Sequence, residues 1–239
     1  MNIVITGASK GVGYCTALNL AKKKEHKIFA LSRDVAGLKK LSESVDSGSI
    51  ITISCDLTDE KSINECVQKI RGNASSIEVL INNAGLLIKK PFLELTSADW
   101  QAVYNVNVFG VVNITRAILP LLLKGSISRK TNVRSHIVNI SSMGGIQGSV
   151  KFSGLSAYSS SKSALIGISE CLYEEYKSEG VCVNSIALGS VETEMFQKAF
   201  PGMKASAEVE EISAWLADFA INGFNFFNGK LIPVSNSTP

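Results

Sequence analysis

Tyr158 and Lys162 stand four residues apart, in Tyr-Ser-Ser-Ser-Lys, inside a stretch that reads as helix. Residues four apart lie on one helix face, so a phenol and an ammonium can point into the same cleft. A free tyrosine titrates near ~10 and is a poor base at neutral pH. A lysine cation beside it would stabilise the tyrosinate, and a lowering of roughly 2–3 units corresponds to about 3–4 kcal/mol. This is chemistry for moving a proton on or off an oxygen. Taken alone, the spacing equally describes an ordinary helix-surface pair.

A second cluster lies at the start of the chain. Thr6-Gly7-Ala8-Ser9-Lys10-Gly11-Val12-Gly13 follows a short β-branched run and opens a helical pattern. Glycines there let the backbone turn sharply and approach a pyrophosphate, and a helix N-terminus offers unpaired N–H groups and a positive dipole. The spacing is Gly-x-x-x-Gly-x-Gly, not Gly-x-Gly-x-x-Gly, so the strand–turn–helix context carries the reading. At the end of the next strand comes Leu31-Ser32-Arg33-Asp34. A hydroxyl and two cations, Ser32, Arg33 and Lys10, suit a phosphorylated ribose, and Asp34 is expected to cap the following helix. The expectation is NADP(H) in preference to NAD(H).

Together with Asn82-Asn83-Ala84-Gly85, Asn107 and Asn139-Ile140-Ser141-Ser142, these motifs resemble the short-chain dehydrogenase/reductase family, in its single-domain branch. The resemblance runs in order from Asn2 to about Met195. It implies a doubly wound α/β Rossmann fold, with a mostly parallel seven-stranded sheet and helices on both faces. It also implies roles. Tyr158 would be the general acid in reduction or the base in oxidation, Lys162 would hold the nicotinamide ribose and tune Tyr158, and Ser142 would polarise the carbonyl. Asn107 would position the lysine and a proton-relay water. The cofactor would lie against Gly7, Ser9, Lys10, Gly11, Val12 and Gly13, with Ser32 and Arg33 at its ribose. Asp56 would meet the adenine amino group with Leu57 beside it, and Asn83, Ala84 and Gly85 would pass the ribose and brace the sheet. Gly189 and Val191 would border the nicotinamide, and Thr193 would contact its carboxamide.

The elements that position these residues alternate along the chain. Strands are expected near 3–5, 27–31, 50–55, 79–81, 136–140, 181–187 and 230–234, with helices between them. Thr58 is expected to cap the helix after the third strand, with Asp59 and Glu60 in its first turn. Thr96-Ser97-Ala98-Asp99 resembles a capping box opening a long helix over 97–123. A further helix is expected over 156–178. Strand–helix alternation of this kind argues for right-handed βαβ units in one sheet, so residues 1–239 are read as a single domain.

Composition narrows the classes. The 239 residues are 45% hydrophobic and 19% charged, with a net charge of +3. That balance is too weak to imply nucleic acid or an anionic membrane. No apolar run reaches the roughly 18 residues of a membrane span, and the N-terminus lacks a signal peptide's basic region. The basic loop over 124–134 lacks interleaved aromatics and reads as a solvated connection. Five scattered cysteines, without a Cys-x-x-Cys pair, and only two histidines point to buried or half-buried thiols, a reducing cytoplasmic setting and no metal site.

Departures from the family pattern mark where specificity would lie. The stretch 143–157 is longer than usual and carries Phe152. Leu188-Gly189 stands for the family's Pro-Gly, which removes a fixed φ and implies a looser turn. Only about a dozen residues separate Met195 from the next helix, a short lid that implies an open or shallow cleft. The ending Lys230-Leu231-Ile232-Pro233-Val234-Ser235-Asn236 replaces the family's Val-Asp-Gly-Gly, which counts against a tetramer. A homodimer through the helices near 97–123 and 156–178 is the expected assembly. The expected partner is a small-molecule carbonyl, with 3-oxoacyl thioester reductases and sepiapterin-reductase-like members as the nearest resemblances. The contrasting reading is a catalytically inactive nucleotide-binding or scaffold protein that kept the fold. Such proteins commonly lose the tyrosine, the lysine or a turn glycine, and all are retained here.

Overall fold

β1 (Asn2–Thr6) is buried on both faces, with Ile3 and Ile5 turned to one side and Val4 to the other. Side chains alternate along a strand, so an unbroken apolar run belongs in a sheet covered by helices above and below. The computed structural model describes residues 1–45, 48–127 and 131–235. In it, β1 pairs with β2 (Lys27–Ser32) and β4 (Val79–Asn82). β3 (Ile50–Ser54), β5 (Ser135–Ser142), β6 (Val181–Leu188) and β7 (Leu231–Val234) complete a seven-stranded sheet in the order β3-β2-β1-β4-β5-β6-β7, with every pairing parallel.

Strand order reverses between β1 and β4, and a doubly wound sheet opens its ligand crevice at that point, at the strands' carboxyl ends. α1 (Gly11–Ala21) and α8 (Val209–Asn222) cover one face, where Ala17, Leu20, Leu216 and Phe219 meet Ile3 and Ile5. α3 (Glu60–Arg71) and α5 (Val111–Leu122) cover the other, where Ile63, Ile70, Ile114 and Ile118 meet Val4 and Leu80. α2 (Val35–Glu43) starts at Asp34, whose carboxylate accepts the Gly37 N–H at 3.0 Å, the expected cap.

Several local expectations are corrected. Asp59, not Thr58, caps α3 by accepting the Lys61 N–H. Thr58 is instead turned back onto Asp56. The capping box at Thr96 and Asp99 is formed, but the long helix is not uniform. α4 (Ser97–Tyr104) passes through a π-helical turn, Asn105–Gly110, before α5. Taken as one, Ser97–Leu122 is long and apolar enough to cross a membrane by length and composition, contrary to the reading of the apolar runs; half of its most apolar window is buried inside the fold. α6 (Ser156–Tyr176) ends in a short 3-10 turn. Cys171 is exposed, unlike the buried or half-buried thiols expected. Arg129 and Lys130 of the basic loop, and Asn236 of the tail, lie outside the described residues.

A polar node ties β5 and β6 to the helices. Asn184 accepts the Lys230 N–H with its Oδ1, so its Nδ2 must be the group that meets His136 Nε2 at 3.0 Å. His136 Nδ1 then donates to the Ala220 carbonyl at 2.9 Å. This wiring fixes a neutral imidazole, and burial pushes its pKa down to about 4.

Candidate active site

The glycine turn between β1 and α1 is locked to the end of β4. Thr6 Oγ1 accepts the backbone N–H groups of Asn83 and Ala84, each at 3.0 Å. Asn83 Nδ2 donates to the carbonyls of Thr6 and Gly7. Gly7 has φ of +68°, and a Cβ there would stand 2.8 Å from Ala84 Cα. A Cβ on Gly13 would stand 2.4 Å from Asn83 Nδ2. The two glycines therefore hold the turn against the switch point, where the N-terminus of α1 faces the crevice.

That crevice is a cleft of about 730 Å³. Of the residues singled out in the sequence, Gly7, Ser9, Lys10, Gly11, Val12, Ser32, Arg33, Asp56, Leu57, Asn83, Ala84, Gly85, Ser142, Tyr158, Lys162, Gly189, Val191 and Thr193 line it. Gly13 and Asn107 do not line it; both lie in the structure behind it, Asn107 fully buried.

At one end, Ser32 Oγ donates to Ser9 Oγ at 2.9 Å. Arg33 faces Asp56 at 3.7 Å, and Lys10 meets Glu194 at 2.8 Å. Burial pushes the Asp56 carboxyl up, but hydrogen bonds from Thr58 and the Arg33 guanidinium outweigh it and leave the pKa below the ordinary value. Lys10 and then Lys198 hold Glu194 down to about 2.

The other end holds the proton-transfer set. Tyr158 and Ser142 both line this end, and Ser142 Oγ accepts the Gly144 N–H. Lys162 Nζ donates to the Ile140 carbonyl at 2.7 Å and lies 5.8 Å from the Tyr158 ring centroid. Burial pushes the Tyr158 phenol up to about 12, with Ser142 opposing it, and burial pushes the Lys162 ammonium down to about 8. Lys162 is turned onto a strand-end carbonyl, and desolvation governs the phenol.

Asn107 also differs from expectation. The π-helical turn carries it inward, where its Oδ1 accepts the Leu86 N–H at 2.7 Å and its Nδ2 donates to the Leu86 carbonyl and Ser161 Oγ, both at 2.9 Å. It makes no hydrogen bond with Lys162, although both side chains approach Gly85, 3.6 Å from where its Cβ would be. Single-turn π-helical insertions often mark functional sites, because they re-aim one side chain without ending the helix. Nothing in the Asn-Val-Asn-Val-Phe-Gly sequence announces this one.

The turn after β6 is not loose. The Gly189 N–H donates to the Val234 carbonyl at 2.9 Å, and a Cβ on Gly189 would meet Ser235 Oγ at 2.4 Å. Thr193 caps α7 (Glu194–Ala199) by accepting the Phe196 N–H at 3.1 Å. The short segment after Met195 lines the cleft with Phe196, Phe200 and Met203. The sequence reading assigned no role to Thr6, Ile140, Leu86 and Ser161, which act mainly through hydroxyls and backbone groups. Among the described residues there is no group of three His, Cys, Asp or Glu that could hold a metal.

Residues 1–204 match the family model described as short chain dehydrogenase. The chain belongs to the short-chain dehydrogenase/reductase family. A 3-oxoacyl-[acyl-carrier-protein] reductase of Synechocystis sp. is 31% identical over 80% of this chain and 74% of its own. An NADP-dependent 3-hydroxy acid dehydrogenase of Schizosaccharomyces pombe is 30% identical over 86% of this chain and 77% of its own. The fold of levodione reductase superposes with a TM-score of 0.84, at 23% identity, over 98% of this chain and 95% of that one. As a short-chain dehydrogenase/reductase, the chain is an oxidoreductase acting on carbonyl or hydroxyl substrates with a nicotinamide cofactor.

Proposed function

We propose that the chain transfers a hydride between NADP(H) and a small-molecule carbonyl or secondary alcohol, with Tyr158 exchanging the proton. The observation that carries this reading is the convergence of Ser142, Tyr158 and Lys162 at one end of the cleft that begins at the glycine turn. The bound cofactor would supply the hydride. Ser142 orients the substrate oxygen and shares its negative charge as it develops. Tyr158 delivers a proton to that oxygen in reduction, and its tyrosinate takes the proton back in oxidation. Lys162 places a cation below the tyrosine and within reach of a ribose hydroxyl, while Asn107 keeps the backbone at Leu86 in place behind it.

Preference for NADP(H) is supported by the strand tip after β2. Ser32, Arg33 and Asp34 all line the cleft there, and the Asp34 carboxylate is engaged as the cap of α2. Arg33 and Lys10 sit in exposed ion pairs, which contribute only about 0–1 kcal/mol each and exchange readily for a 2′-phosphate. The relative named as NADP-dependent agrees with this reading. The five free thiols fit a reducing cytoplasm. Leu93 and Phe109, 97% and 55% exposed beside α4 and α5, fit a homodimer built through that face.

Tyr158→Phe tests the central assignment. NADPH binding should change less than twofold while turnover falls by roughly 10²–10⁴. An unaffected rate, measured by loss of NADPH absorbance with a ketone panel, removes Tyr158 as proton donor. Cofactor binding without turnover of any carbonyl by the wild-type chain would favour the scaffold reading.

A further inference from the structure

Beyond Tyr158 the cleft is walled by side chains that proton and hydride transfer do not use. Phe152 comes from the connection between β5 and α6, and Phe196 and Phe200 come from α7 and the residue that ends it. Phe152 meets Phe200 edge-on with centroids 5.5 Å apart, and Phe196 lies 5.2 Å from Phe200, tilted by 33°. Lys89 Nζ stands 4.1 Å from the Phe200 centroid. Three segments remote in sequence converge on one ring.

They are fastened there. The Lys90 N–H donates to the Gly154 carbonyl at 3.0 Å, which ties the Phe152 segment to the Lys89 segment. Glu192 accepts the Ala205 N–H at 2.9 Å, which closes the loop carrying α7. Yet Phe152, Met195 and Met203 remain 44%, 38% and 52% exposed while lining the cleft. Large apolar side chains kept in contact with water inside a concave site mark a surface that a ligand covers. Of the cations nearby, Lys89 lies on the Phe200 ring and Lys204 is one of the residues lining the cleft.

We propose that Phe200, clasped by Phe152 and Phe196, determines specificity, and that the substrate is a compact ketone or secondary alcohol bearing an aromatic or alicyclic ring. The inference rests on the oxidoreductase reading and names the substrate class of that site. Edge-on and tilted rings offer both a face and an edge to a planar guest, and the surrounding apolar surface loses water when the guest arrives.

The test compares acetophenone with 2-octanone, which have the same number of carbons, by calorimetric titration into the Tyr158→Phe chain saturated with NADPH. Acetophenone should bind at least fivefold more tightly, although 2-octanone is the more apolar. Phe200→Leu, which keeps an apolar side chain of similar size, should remove that preference and leave the NADPH Kd unchanged, and Phe152→Ala should reduce it. Equal binding of the two ketones, or a preference that survives Phe200→Leu, overturns the proposal. A preference lost in Phe200→Leu, in a chain whose wild type reduces neither ketone, supports the wall and refutes the oxidoreductase reading. Turnover of both ketones at equal kcat/KM by the wild type does the reverse.

Discussion

Below the cleft, Asn107 places both ends of its amide on Leu86 and Ser161, and Lys162 is drawn onto Ile140. Around the rim, Lys10 meets Glu194 and Arg33 meets Asp56 with much of each side chain in water. The floor is buried and its polar contacts are specific, so removing one group strands another away from solvent. The rim is wet, and each pair there can trade its partner for a ligand at little cost. The cleft thus combines a rigid proton-transfer floor with an exchangeable margin for a cofactor's phosphate.

The difference predicts how the two regions respond to change. Asn107→Leu should be the most damaging, because it strands the Leu86 N–H and carbonyl and Ser161 Oγ. A loss of about 4 kcal/mol is expected in urea unfolding. A loss below 1 kcal/mol would mean that the floor is not held as described.

Acid should act on a buried node at the other end of β5, where His136 is wired between Ala220 and Asn184. The unfolded chain's histidine takes up a proton below its ordinary value of 6.5, whereas buried His136 does so only near 4. The unfolded state therefore binds more protons in that window, and stability falls as pH drops from 6.5 towards 4, by up to about 3 kcal/mol, with no change above pH 7. Burial lowers His26 as well, so the comparison is against His136→Gln. Unfolding midpoints of that variant between pH 6.5 and 4.5 should decline less steeply than those of the wild type.

Rim changes should be mild for the fold and visible in binding. Lys10→Met with Arg33→Met should cost less than about 1 kcal/mol of stability. The same double variant should weaken NADPH roughly tenfold and NADH hardly at all, about 1.4 kcal/mol of discrimination. Equal weakening of both cofactors would remove the 2′-phosphate from the account of the rim. A large loss of stability would erase the distinction between the two regions.

Which parts were legible follows from the range of the forces involved. The strand–helix alternation, the capping box at Thr96 and the cap at Asp34 depend on neighbours within a few residues, so periodicity and residue type reveal them. The glycine turn was legible for the same reason, although the cause of Gly13 was not: its missing Cβ makes room for Asn83, seventy residues away. Thr58 was misread because its hydroxyl is drawn to Asp56 across the turn. Nothing local distinguishes it from Asp59 as a cap.

The sequence by itself determined the sheet, the turn that faces the crevice, and the presence of a tyrosine and a lysine on one helix face. Only the tertiary structure decided what their surroundings do to them. Burial raises the Tyr158 phenol and lowers the Lys162 ammonium, and these effects depend on how much water the packed elements exclude. A π-helical turn carries Asn107 inward to Leu86 and Ser161, close to Lys162 at Gly85, and Phe152 meets Phe200 across nearly fifty residues of chain. Residue type sets which chemistry is available. Desolvation and long-range contact set which part of it the fold can use.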